Sequence, residues 1–402
     1  MTNPYLWVIG GGQLQIPLIN EANLLGLKTV VSDQNEDCIA RKYCDNFAHI
    51  DIFDIQEHLN YLKQTPLNIV GVLAAGIDAP ETMAAMNELL GLKGVSFDVA
   101  LICKHKELFR QKLKELEYDV PEFVLLHKGE SDKIEQIVKP LPFPVIVKPT
   151  CNSASRDMKI FERYSDELKA FILQNLQKYP CVLVEQMWQG EEQTVECLID
   201  INGKFHNGFI TDRKFTFKDG YPVETGLVHP TELELEKQHM LFALAKQIAC
   251  DFGIDVGAVK LDTIVTRDGP RIIELTVRHS GGFDCQYLVP KSTGKNILKA
   301  AILTAIQEEF DPQLLQPQYK RFGQTASPWP EPGIIQSIVG IEQAKQISGI
   351  EEIFMRYETG ETVEPYINCA RRTGFIIATG TTREKANQSI QDALNTIKIE
   401  TV

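Results

Sequence analysis

Two acidic residues, Asp262 and Glu274, stand on either side of a turn in a stretch that alternates apolar and polar positions. Val259-Lys260-Leu261-Asp262-Thr263-Ile264-Val265 and Arg271-Ile272-Ile273-Glu274-Leu275-Thr276-Val277-Arg278 flank Arg267-Asp268-Gly269-Pro270, which is a hairpin pattern. Strand side chains alternate between faces. Val259, Leu261, Val265, Ile273, Leu275 and Val277 therefore form an apolar face, and Lys260, Asp262, Glu274, Thr276 and Arg278 the opposite one. An odd-numbered loop centred on Asp268 sets Asp262 opposite Glu274, with Cβ atoms about 4.5–5.5 Å apart. Two like charges at that distance disfavour each other unless a proton or cation lies between them. Oxygen ligands suit Mg²⁺ or Mn²⁺, and magnesium commonly combines one or two carboxylates with substrate phosphates. A nucleotide is then the natural missing partner. The same residues also fit a solvated polar face on which Lys260 and Arg278 neighbour the acids.

Lysines upstream extend the pattern. A helix is expected over Val99–Leu116, with Phe109, Leu113 and Leu116 as its buried stripe. Lys106 precedes Phe109 by three and Leu113 by seven, so it projects near that stripe and must snorkel or meet an anion. Phe143-Pro144-Val145-Ile146-Val147-Lys148-Pro149 reads as a short apolar strand ending in a lysine, followed by the polar loop Cys151–Asp157. A helix from Ser165, its N-cap, to Leu176 comes next. The strands Cys181–Glu185 and Gln193–Ile201 follow, the second closed by an Asn202-Gly203 turn.

The first hundred residues alternate strands and helices. Leu6–Ile9, Gly10-Gly11-Gly12, a helix over Leu14–Leu25 and the strand Lys28–Ser32 ending at Asp33 read as a right-handed βαβ unit in a parallel sheet, with Ile69–Leu73 as another strand. Asp33 stands about where a dinucleotide fold places its ribose carboxylate, but Gln15 occupies the position of the third glycine. A tight turn with a small anion at the helix N-terminus is the other reading.

Composition narrows the function classes. The chain has 402 residues, with 41 basic against 54 acidic, a formal charge of −13. That excludes a general electrostatic nucleic-acid binder, which needs a basic surface. No run nears the roughly 20 apolar residues of a membrane span, and the N-terminus lacks a signal-peptide pattern. Nine scattered cysteines without a C-x-x-C pair fit reduced thiols in the cytoplasm better than disulfides or a zinc site.

Together these stretches resemble the ATP-grasp family. Lys106 and Lys148 are similar to its two phosphate-binding lysines. Val182-Leu183-Val184-Glu185-Gln186-Met187 resembles its interdomain hinge. Gly190-Glu191-Glu192-Gln193-Thr194-Val195-Glu196 is similar to G-x-E-x-S-V-E, and Glu274-Leu275-Thr276-Val277-Arg278-His279-Ser280-Gly281-Gly282 to E-x-N-x-R-x-x-G-G. The order and spacing match along the whole chain, including the C-terminal segment that ends Thr373–Gly380.

The resemblance implies an α/β and α+β architecture: an N-terminal parallel-sheet domain over 1–103, an ATP-grasp domain over 104–310 with a small lid at 104–190, and a C-terminal segment over 311–402 completing the core. It implies ATP clamped between two subdomains. Lys106 and Lys148, with Ser153 and Ser155 of the loop, would meet the phosphates. Glu185 and the backbone near Met187 would hold adenine, and Glu192 the ribose. Asp262, Glu274 and Thr276 would hold Mg²⁺ or Mn²⁺, and Arg278 the acyl substrate or the transferred phosphoryl group. Arg278 and Lys148 are the expected catalytic residues. Arg278 stands four residues past Glu274 on the same strand face, about 13 Å along it.

Two departures stand out. Thr276 replaces a metal-binding asparagine, and the phosphate loop lacks glycine, with Asp157 in place of one. The implied activity is a carboxylate–amine or carboxylate–thiol ligase acting through an acyl phosphate on small molecules. Purine-biosynthesis and bacterial amino-acid ligases are the branches it most resembles, and a homodimer is left open. Glu224-Thr225-Gly226-Leu227-Val228-His229-Pro230 is similar to a segment of the amino-acid ligases, where Glu224 would meet a substrate amine and His229 is equally well a turn residue. A non-catalytic nucleotide sensor and an NAD-dependent oxidoreductase are the competing readings.

Overall fold

The computed structural model describes residues 3–402. The apolar run Leu6–Ile9 is wholly buried, as expected for a parallel strand covered on both faces. β1 (Pro4–Ile9), β2 (Lys28–Asp33), β3 (Asn46–His49) and β4 (Asn68–Ala74) form a parallel sheet in the order β3-β2-β1-β4. The Gly10–Gly12 turn holds no free anion site. Gly11 N donates to Asp33 Oδ2 (2.8 Å) and Gly12 N to Gln15 Oε1 (2.9 Å). Asp33 and Gln15 thus fill the turn from within, and both the ribose role of Asp33 and the bound-anion reading lapse.

The helix expected over Val99–Leu116 is two helices, Phe97–Lys104 and Lys106–Glu115. His105 interrupts them in extended backbone (φ −98°, ψ 108°). Lys106 N donates instead to Thr150 O (2.9 Å), which ties the second helix to the loop after Lys148. Phe109 and Leu113 are buried as expected.

β5 (Phe123–His127), β6 (Val145–Pro149), β7 (Lys159–Phe161) and β8 (Cys181–Gln186) form an antiparallel sheet in the order β5-β8-β6-β7. The helix Asp166–Lys178 packs on it, with Ser165 Oγ accepting from Leu168 N (3.2 Å) as its N-cap.

The largest sheet holds β9 (Glu191–Ile199), β10 (Phe205–Lys218), β11 (Tyr221–His229), β12 (Gly257–Thr266), β13 (Gly269–Thr276) and β14 (Phe322–Ala326). β15 (Gly333–Val339) leaves it for a small sheet, β16 (Ile350–Met355) rejoins it, and β17 (Thr362–Val363) pairs with β15. β18 (Gly374–Gly380) lies beside β14, and β19 (Lys398–Thr401) beside β15. The eight-stranded order is β13-β12-β9-β10-β11-β14-β18-β16. One face packs on the helices Phe97–Lys104, Lys106–Glu115 and Leu235–Asp251 through Val195, Val259, Leu261 and Leu275. Residues of the other face line the candidate site.

Asp262 does pair with Glu274, by a different route from the one expected. The loop is the two residues Arg267-Asp268, because Thr266 pairs with Gly269. That register alone would offset the acids by one residue. A bulge between the pairs Thr263–Ile272 and Asp262–Glu274 inserts Ile273 and brings the carboxylates into opposition. The bulge also turns Ile272, rather than Ile273, into the core.

Candidate active site

Lys148 and Glu185 are diagonal neighbours, since Glu185 pairs with Ile146 across β6 and β8. Lys148 Nζ donates to Glu185 Oε1. Arg110 adds Nε to Oε2 (2.9 Å) and Nη2 to Oε1 (3.2 Å). All three side chains are buried. Burial pushes the Glu185 carboxyl up, but Arg110 and Lys148 outweigh it and hold it at about 2. Burial, with Arg110 beside it, lowers the Lys148 pKa despite Glu185. Two buried cations share one carboxylate, so an incoming anion improves their balance. Glu185 has both oxygens engaged and holds the cations rather than offering a free edge to adenine. Met187 N donates to Pro144 O (2.8 Å).

Lys106 opens the second helix and reaches two partners, Asn152 O (2.8 Å) and Glu274 Oε1 (3.0 Å). Burial works to lower its pKa, but Glu274 outweighs it and the net shift is upward. The lysine therefore meets an anion and does not snorkel.

Arg213, on β10, gathers three acids. It lies 3.2 Å from Glu192, 3.0 Å from Glu224 and 3.3 Å from Asp262. Asp262 also accepts from Lys260 Nζ (2.6 Å) and from Thr194 Oγ1 (3.1 Å), its partner across β9. Burial would raise the Asp262 pKa, yet Arg213 and Lys260 drive it far below the usual carboxylate range. Glu192 moves upward, first by burial and then by Asp262 and Glu224 nearby. Glu224 also accepts from Arg372 Nη2 (3.0 Å), delivered by the C-terminal segment. Both oxygens of Glu224 accept from guanidinium groups, Oε2 from Arg213 and Oε1 from Arg372. His229 is a buried histidine whose Nδ1 bonds Ser292 Oγ (2.8 Å).

β13 ends at Thr276, so Arg278 does not continue its strand and the 13 Å offset fails. Arg278 lies in a bend, with Nη1 donating to His279 O (3.0 Å) and Nε 4.0 Å from Asp78 Oδ1. Asp78 is held by Lys104 (2.7 Å). Gly76 N donates to His279 O (3.0 Å), and a Cβ on Gly76 would come 3.3 Å from the Cα of Gly281. Gly76, with left-handed backbone and no room for a Cβ beside Leu14, lets these two loops meet, and their meeting brings Asp78 to Arg278. His279 is fixed in turn by Glu196 (2.8 Å).

The loop after Lys148 takes left-handed backbone without glycine. Ala154, Ser155 and Asp157 have φ of 57°, 55° and 55°, each costing about 1–2 kcal/mol for a residue with a Cβ. Asp157 turns away from the loop interior toward Tyr179 Oη (2.6 Å) and Lys178 Nζ (3.0 Å). Its charge is spent there. Ser153 Oγ accepts from Arg156 Nη2 (3.2 Å). Ala154 O accepts from Cys369 N (3.1 Å), so the loop touches the C-terminal segment.

Oxygen donors for a divalent cation are present, each acid being held by cations, Asp262 by Lys260 and Arg213 and Glu274 by Lys106. Asp262 and Glu274 oppose each other, and Thr276 Oγ1 is buried with no hydrogen-bond partner among the described residues. No group of three or more His, Cys, Asp or Glu arranged to hold a metal occurs among the described residues. The set suits a cation that takes further oxygens from a substrate phosphate.

Arg110, Arg213, Arg372, Asp78 and Lys104 escaped the sequence reading. One signal was available: Arg110 follows Lys106 by four on one helix, hence shares its face. The others are brought in by long-range packing.

Residues 113–295 match the family model for the D-ala D-ala ligase C-terminus, and residues 328–402 that for L-amino acid ligase C-terminal domain 2. The L-arginine-specific L-amino acid ligase of Bacillus subtilis is 23% identical over 357 residues, covering 83% of this chain and 82% of that protein. The crystal structure of L-amino acid ligase from Bacillus licheniformis superposes with a TM-score of 0.85 at 20% identity over 100% of both chains. That of carboxyaminoimidazole ribonucleotide synthase from Aspergillus clavatus, complexed with ATP, does so with a TM-score of 0.77 at 16% identity over 98% of both. No helix among the described residues is long and apolar enough to cross a membrane.

Proposed function

We propose that this chain, an ATP-grasp protein by its fold and by the two family models it matches, is an ATP-dependent ligase that activates a carboxylate as an acyl phosphate and joins it to an amine. The observation that carries this is the opposed pair Asp262 and Glu274, held by Lys260 and Lys106, together with Lys148 held by Glu185. Transfer of a γ-phosphoryl group relies on positioning and on cations rather than on covalent protein chemistry.

Lys106 and Lys148 bind the ATP phosphates, with Ser153 and Ser155 supplying loop hydroxyls. The Met187 carbonyl takes the adenine edge, and Glu192 accepts from the ribose. Asp262, Glu274 and Thr276 would hold Mg²⁺ or Mn²⁺, which supplies charge neutralisation at the phosphates. Lys106, freed from Glu274, would turn to phosphate where Glu274 holds the cation. Arg278 grips the substrate carboxylate with two parallel hydrogen bonds.

A carboxylate oxygen attacks the γ-phosphorus, the bond to the β-phosphate oxygen breaks, and ADP leaves. The amine nitrogen then attacks the acyl carbon, loses a proton, and expels phosphate. Glu224 has one acceptor position left on Oε1, beside Arg372, for a substrate amine. Its present role is to hold both guanidinium groups. With Asp157 turned away from the loop, the sensor reading loses one of its two motives.

The test is a screen of the purified chain with Mg·ATP against pooled small carboxylates and amines. The expected result is phosphate release together with a condensed product, seen by mass, that requires both substrates. Phosphate release with no dependence on either substrate, or no release from any pool, counts against the ligase.

A further inference from the structure

Tyr179 closes the phosphate loop from outside. It follows the helix Asp166–Lys178, and its hydroxyl meets residues near both ends of the loop. Asn152 Nδ2 donates to Tyr179 Oη (2.8 Å), and Tyr179 Oη donates to Asp157 Oδ2 (2.6 Å). Between these ends Arg156 folds back, with Nε donating to Ser153 O (3.1 Å). Side-chain-bearing residues hold left-handed backbone only where their surroundings over-determine it, whereas glycine needs no such support. Asn152 passes the constraint inward: its carbonyl accepts from Lys106 Nζ (2.8 Å), whose other partner is Glu274 (3.0 Å).

We infer that Tyr179 is a positioning residue for the nucleotide phosphates: its hydroxyl replaces the missing glycines by fixing the loop through Asp157, and aims Lys106 through Asn152. The inference rests on the nucleotide reading given above. Partial burial and Asp157 push the Tyr179 hydroxyl up to about 12, so it stays protonated and able to donate near neutral pH.

Calorimetric titration of the full chain with Mg·ATP, and separately with adenosine, tests it on the wild type, Tyr179→Phe, Asp157→Gly and the double variant. Tyr179→Phe should weaken Mg·ATP about tenfold, the loss of one hydrogen bond to a charged group, and leave adenosine unchanged. Asp157→Gly should stay within about threefold of wild type, because glycine takes the left-handed conformation unaided. Adding Tyr179→Phe to Asp157→Gly should then cost no more than about threefold, since only the neutral bond from Asn152 is left to lose. The clamp is overturned by equal Mg·ATP affinity in wild type and Tyr179→Phe, by the same tenfold loss in both backgrounds, or by an equal loss for adenosine. Should Tyr179→Phe fail to fold, Asn152→Ala removes the other end of the clamp and is read by the same criteria. A wild type that binds no Mg·ATP overturns the nucleotide reading itself, and the clamp with it.

Discussion

Lys106 Nζ lies 3.0 Å from a carboxylate oxygen of Glu274. The cation read as a phosphate ligand and the carboxylate read as a metal ligand are thus partners of each other. Each holds the other's charge in a half-buried place, where an unpaired ion is less well solvated than at the surface.

Opposite effects on the two ligands follow. Lys106→Ala should weaken Mg·ATP by on the order of tenfold to a hundredfold, through loss of a charge-assisted bond. The same variant frees Glu274 and should tighten binding of Mn²⁺ alone, measured by electron paramagnetic resonance without nucleotide. Weaker Mn²⁺ binding in Lys106→Ala would show that the lysine does not compete for Glu274.

Arg110→Met should destabilise the fold by about 3 kcal/mol, because a buried carboxylate loses one of its two cations. Urea denaturation measures this. A change below about 1 kcal/mol, the worth of an ordinary exposed pair, would mean that Lys148 alone satisfies Glu185.

Glu185 sets an acid limb. Its carboxyl sits at about 2 in the folded protein, against an ordinary value of 4.5. A depressed carboxylate contributes stability above its unfolded pKa and loses it as pH falls toward the folded one. Stability should therefore drop between about pH 4.5 and 2, and Glu185→Gln should flatten that limb while being less stable near neutral pH. An unchanged acid limb in the variant would assign the acid sensitivity to other carboxylates.

Arg278→Lys should leave Mg·ATP affinity nearly intact and cut turnover by about a hundredfold or more, since one ammonium cannot make the paired bonds of a guanidinium. Steady-state kinetics with a substrate pair from the screen decides this. Normal turnover would leave Arg278 as a partner of Asp78 and the His279 carbonyl only.

Local pattern determined much of this protein. Alternation put Lys260 with Asp262 on one face of β12 and Glu274 with Thr276 on one face of β13, because strand side chains alternate within each strand, and the bulge made those two faces the same one. The apolar run before Gly10 and the Ser165 cap were legible for the same reason: strand burial and capping depend on neighbours in sequence. Tertiary structure decided what those residues face. The bulge at Ile273 inserts one residue of β13 opposite β12, which offsets the two-residue loop. His105 broke an otherwise continuous helical pattern because Lys106 N found Thr150 O instead of a carbonyl one turn back. Arg110 meets Glu185, Arg213 meets Asp262, and Arg372 meets Glu224 across separate elements. Burying charges requires partners, and only the folded chain decides which distant charges are near enough to serve. That is why the acids of the site could be read in the sequence, and most of the arginines that hold them could not.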